Sequence, residues 1–298
     1  MRRVELLGGA AALGLFCAAT AGEAAASDEP ASAAAPLKPP DAGVPVAFLL
    51  SDGAVMIDFA GPWEVFQDAR VATRNAPAFQ IYTVAETTQP IVVSDGFKVL
   101  PQYDLAHAPA PKVVVVPAQS APTAVVKDWL RATARQADLM MSVCAGAFIL
   151  AEAGLLDGHT VTTHHGSFVT LAMDYPKVTV KRGARFVDEG AIATSAGLSA
   201  GIDLALHVVE RYYGRETARA TAYYMEYTSQ GWLHADSNLA YAKPPASVSG
   251  RPLCAVCWME VDPKSGLTSM YQGKRYYFCM PEHKQRFDAA PSLFVRVA

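Results

Sequence analysis

A chain of 298 residues with a net charge of −3 and no basic run beyond Arg2-Arg3 is poorly suited to nucleic acid or anionic membrane surfaces, which reward clustered positive charge. Hydrophobic residues make up 51% of it and charged residues 18%. That is enough apolar material for a sizeable core, in one or two domains.

The N-terminus reads as an export leader. Arg2-Arg3 gives a short basic start, Leu6 to Ala21 is apolar, and Ala24-Ala25-Ala26 offers a small-residue cleavage site before Ser27. The arginine pair and Leu6-Leu7 loosely match twin-arginine export, whereas Phe16 before Cys17 is wrong for lipoprotein processing. The apolar stretch is short for a spanning helix. Residues 1–26 are therefore assigned to a signal peptide. Residues 27–43, mostly Ala, Pro, Ser and Asp in their first part, are assigned to a disordered linker. The expected location is periplasmic or secreted, with no membrane contact after cleavage. Four cysteines remain, and in an oxidising compartment they must be buried, metal-bound or paired to persist.

Val44–Leu50 is a continuous apolar run, as a strand buried on both faces would be. A helix is expected over Gly61–Arg70 with Pro62 in its first turn. Phe79–Ala85 alternates as a strand does, Lys112–Pro117 carries four consecutive valines, and Ala121–Gln136 has helical spacing. Leu139–Val143 is a further strand. Thr160–Thr163, Val178–Val180, Ala184–Asp188 and Ala191–Ser195 read as short strands, and Gly197–Tyr213 as a helix. Strands alternating with helices predict an α/β fold, a mostly parallel sheet covered on both faces. The first domain is placed at 44–230 and a linker at 231–250. Residues 251–298 form a small unit holding three of the five cysteines; a unit of this size usually needs a metal or disulfides.

The stretch Ser142-Val-Cys-Ala-Gly146 joins a strand-type run to a helical one. Small residues two places before and after Cys144 suit a sharp strand-to-helix elbow. A thiol there faces unpaired N–H groups and the positive end of a helix dipole, which favour thiolate. A buried structural cysteine is the alternative. Three other segments accompany the elbow: Ser51-Asp-Gly-Ala-Val-Met-Ile-Asp-Phe-Ala-Gly-Pro62, Thr162-Thr-His-His-Gly166 and Thr194-Ser-Ala-Gly-Leu-Ser199.

Together these motifs resemble the ThiJ/PfpI superfamily, a branch of the class I glutamine-amidotransferase-like fold. The resemblance is closest to the branch with isonitrile hydratase and the N-terminal domains of AraC-type regulators. It implies a flavodoxin-like three-layer sandwich and a nucleophile at Cys144, with a carboxylate at Asp58 reaching the thiol. An ionised Asp58 would raise the thiol pKa; a protonated one would donate to the thiolate. Asp58 as a helix N-cap or turn residue is the alternative. Relatives often carry His or Thr where Ala145 stands, and Pro-Gly-Gly where Pro117-Ala-Gln119 stands. The N–H groups of Ala118 and Ala145 are the candidate oxyanion donors, and His164 is the candidate substitute base, with a hydrogen-bonded structural histidine as the alternative. Such a site would add Cys144 to a small electrophile such as an aldehyde, amide or isocyanide. No cofactor is expected in this domain, and a homodimer is expected. A non-enzymatic metal or redox sensor is the competing reading. No DNA-binding unit follows the first domain.

Cys254-Ala-Val-Cys257, then Cys279 and, four residues on, His283 have soft-metal ligand spacing. With Tyr276-Tyr-Phe-Cys279 and Phe287 they resemble a YHS domain, a small metal-associated module. Relatives often carry Cys where His283 stands. Zinc suits a Cys3His set best, with copper or iron as alternatives; a Cys254–Cys257 disulfide is the metal-free alternative.

Overall fold

The computed structural model describes residues 34–295, so the leader and the start of the linker lie outside the described residues. A seven-stranded sheet runs in the order Phe186–Asp188, Ile192–Ser195, Leu139–Val143, Val113–Val116, Val44–Leu49, Phe79–Ala85, Tyr103–Asp104. Every neighbouring pair is parallel except the edge pair Phe186–Asp188 with Ile192–Ser195. This is the mostly parallel sheet expected from the alternation of strands and helices, in the flavodoxin-like fold that the family resemblance implies.

The four valines show why the central strands are apolar throughout. Val113 and Val115 face one core, with Phe48, Phe66 and Leu204. Val114 and Val116 face the other, with Leu130, Met140 and Leu150. Alternating residues point to opposite faces, and each buried side chain of this size contributes about 1.5–3 kcal/mol. Helices α1 (Met56–Asp68), α2 (Ala124–Ala134), α3 (Gly146–Glu152), α4 (Phe168–Asp174), α5 (Ala200–Tyr213) and α6 (Arg215–Tyr224) cover the sheet.

Helix α1 starts five residues before the expected Gly61, which leaves Pro62 in its interior. The earlier start is supported from outside the helix: Ser94 Oγ accepts the Met56 N–H at 2.9 Å, and Ala118 O accepts that of Val55 at 2.8 Å. Asp58 therefore lies in the first turn and is not the N-cap, which is Val55. Helix α5 begins at Ala200, later than expected, so that Gly197 belongs to the loop after the strand. Among the described residues Thr160–Val161 pairs only with Thr179–Val180, in a separate ribbon.

The described part of the 27–43 linker is tied down. The Leu37 N–H donates to Arg211 O at 2.7 Å, and the Arg211 guanidinium donates to Ala35 O. Leu37 also packs on the core. Residues 231–250, expected as a linker, begin as a packed strap. Trp232 is buried, Ala235 O accepts the Arg185 N–H at 2.6 Å, and Gly183 O accepts that of buried Asn238 at 3.1 Å.

The C-terminal residues form a two-stranded hairpin, Thr268–Tyr271 with Lys274–Tyr277, followed by α7 (Pro281–Ala289) and α8 (Pro291–Phe294). Its core of Val256, Val261, Phe278, Phe287 and Phe294 also takes in Val169 and Met173 of α4. Arg286 grips Asp174 of α4 through two hydrogen bonds, at 2.5 and 3.0 Å. The module is thus docked on the α/β body.

Candidate functional site

Cys144 ends the strand Leu139–Val143 and is held at φ 58°, in the left-handed region that non-glycine residues rarely occupy. Two contacts pin it. Its N–H donates to Ala196 O at 3.3 Å, and Thr163 Oγ1 donates to its carbonyl at 2.8 Å. Close approach explains Gly146: a Cβ there would sit 2.1 Å from Val116 O and 2.9 Å from Pro117 O. Only glycine lets α3 begin this near the end of the valine strand.

The thiol is buried, and its neighbours pull it in opposite directions. Burial, then the charge of Asp58, push it up to about 12, while the Ala145 N–H acts to lower it. Asp58 is fully buried and is itself raised to about 6, chiefly by burial, with the Ala118 N–H and the Cys144 thiol pulling the other way. The pair therefore carries one negative charge between about pH 6 and about pH 12. In the ground state that charge rests on the carboxyl. Of the two alternatives for Asp58, the ionised form that raises the thiol is the one favoured near neutral pH. Asp58 Oδ2 accepts the Ala118 N–H at 3.2 Å, while Oδ1 is buried without a regular hydrogen-bond partner.

Ala118 was expected as an oxyanion donor, but its N–H is already given to Asp58. That loop follows the valine strand directly, and α1 brings the carboxyl underneath it. The Ala145 N–H does lie at the thiol.

His164 stands beside Cys144. A Cβ on Gly197 would be 2.7 Å from both Cys144 Sγ and His164 Cδ2, so one glycine separates the two side chains. His164 Nδ1 accepts the Gly166 N–H at 3.2 Å, which leaves the proton of the neutral ring on Nε2. Burial, then His165, lower its pKa. A neutral imidazole with its acceptor nitrogen occupied is arranged to donate, not to take a proton. Gly197, Thr163 and Ala196 are the site residues that pattern reading missed. Two of the quoted motifs contain them, but their roles depend on loop geometry.

A model of the DJ-1/PfpI family matches residues 44–211. The chain belongs to the DJ-1/PfpI family. It is 30% identical over 190 residues to isonitrile hydratase of Pseudomonas putida, covering 61% of this chain and 78% of that one. It is 29% identical over 179 residues to the HTH-type transcriptional regulator GbdR of Pseudomonas aeruginosa, covering 59% of this chain and 48% of the regulator, about half its length. A crystal structure of a ThiJ/PfpI family protein from Pseudomonas syringae superimposes with a TM-score of 0.57 at 25% identity, covering 63% of this chain and 76% of that one.

Beyond the DJ-1/PfpI residues lies a second constellation. Cys254, Cys257, Cys279 and His283 bring one donor atom each to within 4.8 Å of the others. Cys254 Sγ and Cys279 Sγ lie 3.5 and 3.2 Å from His283 Nδ1, and Cys257 Sγ lies 3.5 Å from Cys279 Sγ. These cysteines are not disulfide-bonded. Such spacings suit four donors around one ion with metal–sulfur bonds of about 2.3 Å.

The backbone explains the gathering. The Trp258 N–H donates to Cys254 O and the Cys254 N–H to Met259 O, folding Cys254–Cys257 into a tight turn. The hairpin delivers Cys279, and the first turn of α7 delivers His283. A hydrogen bond from Cys257 pulls the Cys254 thiol down to about 4; the same bond, then burial, push Cys257 up, and burial raises Cys279. The set therefore already favours one thiolate, and a soft cation would displace the remaining protons. The residues can hold a metal ion.

Proposed function

We propose that this protein is an exported DJ-1/PfpI enzyme in which Cys144 attacks a small electrophile of the carbonyl, amide or isonitrile class. The observation that carries this reading is the coupling of Cys144 to Asp58 in a strained elbow. A thiol raised to about 12 beside a carboxylate raised to about 6 is poised to lose its proton only as it attacks. Sulfur would bond to the electrophilic carbon while the thiol proton passes to Asp58. With an isonitrile, protonated Asp58 would return the proton to that carbon to give a thioimidate. Water would add across its carbon–nitrogen double bond, and the thiol would leave with a proton to give a formamide. With an amide, Asp58 would protonate the nitrogen, the amine would leave, and water would hydrolyse the resulting thioester; an aldehyde would form a hemithioacetal reversibly. The Ala145 N–H would face developing charge at the sulfur, and His164 Nε2–H would be a donor to the substrate. Likeness to isonitrile hydratase over 78% of its length supports this substrate class.

A protonated thiol also argues against a sensor of mild oxidants, since thiolate is the form that reacts with them. Turnover of an isonitrile, an amide and an aldehyde by the mature chain, compared with Cys144→Ser, tests the proposal. Hydration or hydrolysis that disappears with Ser supports it. Turnover equal in both, or none with any of the three, overturns it.

Residues 251–298 are read as a YHS module binding zinc, with copper or iron as alternatives, through Cys254, Cys257, Cys279 and His283. A metal ion there would supply folding free energy to a small unit. The leader reading at 1–26, the periplasmic or secreted location and the homodimer belong to the same proposal. Among the described residues no helix is long and apolar enough to cross a membrane. N-terminal sequencing of exported protein, with Ser27 as the expected start, checks the leader.

A further inference from the structure

We infer that Trp258 is a positioning residue through which metal occupancy of the Cys254, Cys257, Cys279 and His283 set governs access to the Cys144 thiol. This rests on the readings of both sites given above.

The observations form a continuous chain of contacts. Trp258 follows the ligand Cys257 directly and has φ 64°, a left-handed backbone that a bulky residue holds only at a cost of about 1–3 kcal/mol. Glycine would occupy that place without strain. The turn that gathers the sulfurs imposes this conformation, because the Trp258 N–H donates to Cys254 O at 3.0 Å and Met259 O receives the Cys254 N–H at 2.7 Å. The indole is buried, and its ring lies 6.1 Å from that of His165 at an interplanar angle of 33°. The His165 ring in turn lies 4.2 Å from the His164 ring and 5.4 Å from that of Tyr241 in the strap. A Cβ on Gly166 would stand 3.2 Å from Cys257 O, so the same loop abuts the ligand's own carbonyl. His164 completes the path, separated from Cys144 Sγ by Gly197.

A metal ion bonded to Cys254 and Cys257 would fix the turn on both sides and hold the indole against the His165 face. Without that bond the strained residue can relax toward negative φ and carry its ring away, loosening the loop that holds His164 beside the thiol. Metal occupancy and Cys144 access would then be linked, and the coupling reciprocal: a modified Cys144 that displaces the loop weakens metal binding by the same factor.

The test uses the full mature chain under reducing conditions, loaded with one equivalent of zinc or stripped by chelator. Alkylation of Cys144 by iodoacetamide is followed on its own peptide by mass spectrometry, so that the ligand cysteines are counted separately. Stripping zinc is expected to speed Cys144 alkylation at least about fivefold, the low end of ordinary coupling between sites. Trp258→Gly, which suits the left-handed backbone, should keep its zinc yet react at the faster rate even when loaded. Trp258→Phe should restore the slow rate. Equal rates with and without zinc, or a loaded Trp258→Gly as slow as wild type, overturn the inference while leaving both sites intact. Zinc that fails to bind overturns the metal reading and the inference with it; a Cys144 inert in both states does the same for the thiol reading.

Discussion

Asp58 and Cys144 share one negative charge across the neutral range, and the carboxyl holds it. Burial is the largest cause of the shift on each partner. The left-handed elbow aims the thiol, while α1 lifts the carboxyl beneath the loop at Ala118. Neither group alone would make a good catalyst near neutral pH: the thiol holds its proton too tightly, and the carboxyl has no substrate bond to make.

Asp58→Asn separates these roles. The amide can still accept the Ala118 N–H, but it removes the like charge and the proton acceptor together. The thiol should titrate lower than in wild type, so its thiolate absorbance appears at lower pH. Turnover should nevertheless fall about 10²–10⁴-fold, the usual worth of a positioned acid or base. An Asn variant as active as wild type would show that Asp58 moves no proton.

The same substitution should stabilise the fold. Asp58 is raised from 3.8 to about 6, so the folded state binds the extra proton between those values. Its favourable contribution is complete below about pH 4 and is lost as pH rises through about 6. A shift of this size corresponds to about 3 kcal/mol. Melting curves should show Asp58→Asn more stable than wild type at pH 7, with the gap closing toward pH 4. A gap that stays constant with pH would place the burial penalty elsewhere.

Most strands of the sheet, the elbow at Cys144 and the ligand turn were legible because each follows from short-range pattern. The short edge strand Tyr103–Asp104 was not, and Asp58 was placed at the thiol only through the family resemblance. Four valines in a row report a strand buried on both faces. Small residues around Cys144 report an elbow, and the cysteine spacing reports a ligand turn. What was not legible depends on contacts between distant segments. The start of α1 at Met56 is fixed by Ser94 and Ala118, far along the chain. The Ala118 N–H could be assigned to Asp58 only once the fold had brought them together. Residues 231–250 read as a linker because Pro, Ala and Ser dominate their second half, while burial of Trp232 and Asn238 ties down the first. Docking of the C-terminal module through Val169, Met173 and Trp258 leaves no periodic signal in the sequence.

Gly197 supplies a sharper test of the site than replacement of Cys144 itself. A methyl group there would lie 2.7 Å from both Cys144 Sγ and His164 Cδ2, closer than any side-chain contact allows. Gly197→Ala should abolish turnover by wedging the two apart, at about 1–3 kcal/mol of stability, the usual cost of overpacking. Folding is checked by circular dichroism and the thiol by its alkylation rate. Full activity in this variant would mean that the two side chains need not stay close.

The metal reading makes a prediction about pH as well as about ligands. Three thiols must be deprotonated to bind an ion, so affinity should fall as the solution is acidified and protons compete for sulfur and imidazole. His283→Ala should weaken binding by more than the about 10–100-fold that loss of an outer-shell partner costs. Chelation at neutral pH should melt residues 251–298, whose core of Phe278, Phe287 and Phe294 is too small to stand alone. The seven-stranded sheet should survive, since its two cores contain none of the ligands, although exposed Val169 and Met173 should lower its melting temperature by a few degrees. Hydrogen exchange resolves the two responses by segment. Protection that persists across the hairpin and α7 in metal-free protein would show that the module folds by packing alone, with its four donors held ready by the backbone.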